Sequence, residues 1–198
     1  MPWAAQAATV ACVETTTARP SAVPSRLLLA AGIGAAVALT LGVYGHVHDP
    51  SQKLVFTLGL SSTIAMKVFL ATIALAFAVV QVTTALWVYA KLPWSAPDWA
   101  GGLHRVSGRI AFVVSLPVAY HCLWSLGFQD TTTRVLVHSL AGCAFYGAFA
   151  TKVTIVRSKS LPGIALPIAG GLVFALLVLI WFTSAFWFID NRGGFPAL

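Results

Sequence analysis

The 198-residue chain is 59% apolar and only 9% charged, and its mean hydropathy is +0.87. A soluble domain carries roughly 25% charged residues, so a water-soluble enzyme or binding module is excluded in favour of an integral membrane protein. The formal net charge of +7 follows the membrane topology derived below, so no nucleic-acid partner is expected.

Residues 1–25 are rich in Ala, Thr and Pro and contain Glu14. They lack the basic start and short apolar core of a signal peptide, which predicts a disordered cytoplasmic tail ahead of one membrane domain over residues 26–198. Five apolar segments follow, near Leu27–Val47, Ile64–Ala90, Val106–Gly127, Val135–Val156 and Ile164–Ile189. Each approaches the roughly 20 residues needed to cross a ~30 Å hydrocarbon core. Backbone groups in lipid must bond within their own segment, and no alternating barrel pattern appears, so the spans are helices. The expected fold class is all-α: a polytopic membrane protein forming a bundle of five transmembrane helices.

The first span ends in Tyr44-Gly45-His46-Val47-His48-Asp49-Pro50. Neutral imidazole binds Cu, Zn or Fe, so His46 is an alternative metal ligand; a solvated loop also favours His and Asp. The second span carries Met66, Lys67 and Gln81. Either Lys67 or Gln81 can face the bundle interior and contribute to a polar pocket; Lys67, close to the interface, is expected rather to snorkel to it. Trp87, Tyr89, Trp94 and Trp99 cluster at the next boundary, with Trp124, Trp181 and Trp187 toward the other, as interfacial belts do.

Before the third span stands His104-Arg105-Val106-Ser107-Gly108; within it lie Pro117, His121 and Cys122. His104 and Gly108, with Arg105 and Arg109, form a candidate site for a quinone headgroup, a propionate or a lipid phosphate, although basic residues belong at an inner interface anyway. After the turn Gln129–Arg134, the fourth span contains His138-Ser139-Leu140-Ala141-Gly142. Cys12, Cys122 and Cys143 give neither a disulfide framework nor a CxxC metal signature.

Lys and Arg placement sets orientation. Arg19, Arg26, Lys91, Arg105, Arg109, Lys152, Arg157 and Lys159 fall on one side, against Lys53, Lys67, Arg134 and Arg192 on the other. The richer side is expected to be cytoplasmic, with the N-terminus in, the C-terminus out, and the protein in the plasma membrane of a prokaryote.

His121 and His138 lie at similar distances from the intervening turn and therefore, at ~1.5 Å rise per residue, at similar depth. Ionisable residues inside a membrane are functional candidates because burying them in lipid is costly. Two imidazoles at one depth point to a cofactor between them, with haem b as the leading candidate. His121 and His138 are the expected axial ligands, and Gly142, one turn from His138, leaves room for a planar ring. Arg134 is either a partner for a haem propionate or an interfacial arginine. No CxxCH motif exists, so the haem would be non-covalent.

The HSLAG stretch at His138–Gly142, with LHRVSGR at Leu103–Arg109 and AYHC at Ala119–Cys122, resembles the cytochrome b561 and ferric-reductase-like membrane cytochromes over residues 103–152. That resemblance implies a helical bundle holding b haem through histidines and passing electrons across or into the membrane. Such families commonly use four histidines, two near each face. Here His46, His48, His121 and His138 fall on the outer side and only His104 on the inner. The expectation is one b haem toward the outer face, exchanging electrons between a quinone or membrane donor and an extracytoplasmic redox protein. The competing reading is a haem-free subunit that anchors or stabilises a larger membrane complex.

Overall fold

The computed structural model describes residues 22–53, 56–158 and 161–197, with side chains from residue 25 onward. Its elements are α1 (Ala22–Val47), α2 (Thr63–Val88), α3 (Ala100–His121), α4 (Thr133–Arg157), α5 (Ala165–Trp181) and a short α6 (Trp187–Arg192). Two π-helical turns extend the long helices. Cys122–Leu126 continues α3, and Phe182–Phe186 joins α5 to α6. No strand occurs among the described residues.

Five helical stretches are long and apolar enough to cross a membrane: Ser25–Val47, Thr63–Val88, Ala100–Leu126, Thr133–Arg157 and Ala165–Arg192. Large apolar side chains point outward along them, with Leu28 72% and Leu39 68% exposed. That outward surface is suited to lipid. Two boundaries differ from the sequence expectation. Residues 22–25 are helical rather than part of the tail, whose remainder lies outside the described residues. The third span starts at Ala100 rather than Val106, because Ala100 and Ser107 are buried and extend the helix below its apolar run.

Polar caps start two of the helices. The Ser62 side chain accepts a hydrogen bond from Ala65 N at 3.1 Å, and Thr132 accepts one from Val135 N at 3.3 Å. Each satisfies an N–H group that the first helical turn leaves free.

The helices pack in the spatial order α1, α4, α5, α2, α3. The α1–α4 seam is a backbone-to-backbone contact. A Cβ on Gly34 would run into the Thr151 side chain and lie 2.6 Å from Gly147 O; one on Gly147 would lie 2.5 Å from Gly34 O. Thr151 Oγ1 donates to Ala30 O at 3.2 Å across the same seam. Small residues allow this approach in a membrane, where no hydrophobic force drives helices together.

The α2–α3 seam is polar. Gln81 Nε2 donates to His104 O and, at 2.9 Å, to Ser107 Oγ. Phe145 of α4, Leu177 of α5 and Ala78 of α2 form a central apolar cluster.

We call the end bearing the α1–α2 and α3–α4 connections the upper face. Its segments are tied by backbone bonds: Ser51 N to Trp124 O at 3.3 Å, Gln52 N to Ser125 O at 3.2 Å, and Phe128 N to Gly45 O at 2.7 Å.

Candidate functional site

The upper half of the bundle lines a half-open cavity of about 400 Å³, within the ~300–1,000 Å³ typical of small-molecule and cofactor sites. Lys67, Val68, Ala71 and Ala74 of α2 form one wall, and Ser115, Val118, Ala119 and Cys122 of α3 another. His138, Gly142 and Cys143 of α4 face it, with Leu177, Ile180 and Thr183 completing the lining. Most of the lining is apolar. Its polar groups gather at two ends. Lys67, Gln129, Arg134, His138 and Thr183 lie toward the upper face, and Ser115 with Tyr146 lies deeper, their hydroxyls 2.9 Å apart.

His138 and Thr183 fix each other. His138 Nδ1 stands 3.1 Å from Thr183 Oγ1. The threonine's own proton is committed to the carbonyls of Leu179, at 2.8 Å, and Ile180. With the hydroxyl proton turned to these carbonyls, Nδ1 donates to Oγ1 and Nε2 keeps a lone pair. A ring oriented and set to one tautomer by such a bond is how metal-binding histidines are prepared.

Arg134, one turn before His138, reaches the same π-helical turn. It donates to Thr183 O at 2.6 Å, and its guanidinium carbon lies 3.9 Å from the centre of the Trp187 ring. Cation–π contacts operate at that range. A π-helical turn interrupts the regular i→i−4 ladder, and such turns are frequent at functional sites. Here it presents the Thr183 carbonyl to Arg134.

Gly142 lines the cavity, and a Cβ built there would meet nothing within 4 Å. Of the expected site residues, the structure therefore gathers His138, Arg134 and Gly142 around one space. His121 is not among the residues lining it; its neighbour Cys122 is. The helix turns about 100° per residue, and the residue at this depth that faces inward is Cys122.

His121 is nevertheless only 4% exposed, and both of its ring nitrogens are buried without a hydrogen-bond partner. An unpaired buried polar group costs about 1–3 kcal/mol, so the orphaned imidazole calls for a partner.

His104 and Gly108 have a packing role. His104 Nδ1 pairs with Thr84 Oγ1 at 3.0 Å, and a Cβ on Gly108 would lie 2.8 Å from Gln81 Oε1. Gly108 is small because Gln81 crosses there. His46 stays exposed at the upper face, edge-on to Phe128 at 6.4 Å, and does not line the cavity. Among the described residues no group of three or more His, Cys, Asp or Glu is arranged to hold a metal ion.

Three features were not settled by the sequence. Lys67 lines the cavity, although its place near the interface made snorkelling the natural expectation. Trp181, read as an interfacial anchor, donates from Nε1 to Thr72 Oγ1 at 3.0 Å and ties α5 to α2. Thr183 had no distinguishing pattern in the sequence; only its contacts reveal it.

The fold and cavity define an all-helical polytopic membrane protein with a half-open, mostly apolar cavity. The chain matches the family described as "Family of unknown function (DUF6529)" over residues 27–195, and it belongs to that family. No curated protein and no solved structure matches it.

Proposed function

We propose that this protein is a membrane-embedded b-type cytochrome, exchanging electrons between a quinone or other membrane donor and a redox partner at the upper face. The observation that carries this reading is the His138–Thr183 pair, which orients the imidazole beside a half-open, mostly apolar cavity. A non-covalent haem b would supply one-electron chemistry, with its potential set by axial ligand, nearby hydrogen bonds and burial.

The residues present fit that group on the α4 side. His138 is suited to axial ligation, Gly142 leaves space beside it, and Arg134 offers charge-assisted bonds to carboxylates. On the α3 side the second histidine is His121, chosen for its two orphaned nitrogens although it lies off the wall. The basic residues favour a cytoplasmic N-terminus and an upper face outside the cytoplasm, in the plasma membrane of a prokaryote.

Reduced-minus-oxidised absorption spectra of detergent-purified protein, expressed with ample haem, test the reading. The wild type is expected to show a low-spin b-haem spectrum. His138→Ala should lose the haem, His121→Ala should convert it to a weaker high-spin form, and His104→Ala should keep it. Absence of haem from the wild type would overturn the proposal.

That outcome would favour a haem-free subunit of a larger membrane complex. One observation supports this second reading: His104 and His138 each bond a threonine on a neighbouring helix, as structural histidines do.

A further inference from the structure

The cavity is electrostatically one-sided. Lys67 and Arg134 both line it, whereas among the described residues no Asp or Glu does. The described acidic residues, Asp49, Asp98, Asp130 and Asp190, lie elsewhere. Arg134 meets neutral groups, the Thr183 carbonyl and the Trp187 ring.

Helix placement deepens the imbalance. Arg134 sits in the first turn of α4 and Lys67 one turn into α2. The N-terminal end of a helix carries about half a positive charge, so it disfavours cations and favours anions. Two cations are thus held beside the wrong helix ends, in a space whose remaining lining is mostly apolar. Charges in low-dielectric surroundings are costly unless paired. Among the described residues no carboxylate meets these cations in the cavity, so an anion brought in by a ligand would complete the site.

We infer that the cavity selects an amphiphile with an anionic oxygen headgroup, a carboxylate or a phosphate, held by Lys67 and Arg134. The apolar body of such a ligand fits the aliphatic walls of α2 and α3, and its acid group meets the two cations toward the upper face. A neutral quinone does not satisfy this electrostatic requirement, whereas haem with its two propionates does. The inference depends on the cytochrome reading only for the choice of haem among such ligands.

The test uses the purified full-length chain in detergent, titrated with cis-parinaric acid and with its methyl ester. Energy transfer from tryptophan reports binding, since Trp187 lines the cavity. The acid should bind about tenfold or more tightly than the ester, the scale of a charge-assisted hydrogen bond. Lys67→Gln and Arg134→Gln should each narrow that gap, while Lys67→Arg and Arg134→Lys should preserve it in equally folded protein. Displacement of the probe by haemin, or by phosphatidylglycerol in nanodiscs, would support the inference and identify whether a propionate or a lipid phosphate is the anion.

Equal affinity for acid and ester, or an undiminished gap in both glutamine variants, would overturn it. A wild type without a haem spectrum but with the gap intact would defeat the cytochrome reading while supporting this one. Haem binding that is indifferent to esterification of the propionates would do the reverse.

Discussion

His138 Nδ1 and Thr183 Oγ1 stand 3.1 Å apart across the α4–α5 seam, and the threonine hydroxyl also meets the Leu179 carbonyl of its own helix. This single contact links the orientation of the ring, its tautomer and the π-helical turn that carries Thr183.

Thr183→Val keeps the shape of the side chain but removes the acceptor. Haem affinity is expected to fall ~10–100-fold, the usual cost of losing a bond that orients a metal-binding histidine. Thr183→Ser should restore most of it. A haemin titration followed by absorbance checks both variants, and an unchanged affinity in the valine variant would show that the ring needs no such support.

His121→Leu should raise the thermal stability of the haem-free protein. Replacing an imidazole whose two nitrogens lack partners with an apolar side chain removes a penalty of about 1–3 kcal/mol. A lower melting temperature would mean that His121 is paired in the membrane after all.

Gly147→Val and Gly142→Val differ in position by little more than one helical turn and should behave oppositely. At Gly147 the added carbons meet Gly34 O and, at 2.9 Å, the Ala38 Cβ; at Gly142 the Cβ meets nothing. The first should destabilise the α1–α4 contact by ~1–3 kcal/mol or more, as overpacking does. The second should leave stability nearly unchanged while reducing the room available in the cavity. Thermal unfolding in detergent separates the two.

Cysteines introduced near Asp130 and near Arg157, in a protein lacking its three native cysteines, should label differently in intact cells. The position near 130 should react with an impermeant maleimide, and the one near 157 should not. The reverse pattern would invert the topology.

The bundle was legible in the sequence because five long apolar runs admit only helices. Segment ends were less so: Ala100 to Arg105 looks polar and glycine-rich, yet it is helical because α2 covers part of it. At the site, the depths of His121 and His138 could be counted, but their azimuths could not. The regular 3.6-residue period does not announce where a π-helical turn begins, and the one following His121 starts at Cys122. Gly108 and Gly142 share the same HxxxG spacing, yet one receives a glutamine and the other faces open space. Lys67 was hidden by its closeness to the interface, where a long side chain can turn either way.

The two backbone bonds from Ser51 and Gln52 end on Trp124 and Ser125, inside the π-helical turn whose first residue, Cys122, belongs to the cavity wall. The Ser125 hydroxyl adds a third attachment, to Lys53 O at 2.9 Å. The α1–α2 connection is therefore mechanically continuous with the inner lining. A protein or lipid headgroup that grips residues 51–53 from the aqueous side would pull directly on the end of α3, without having to enter the membrane.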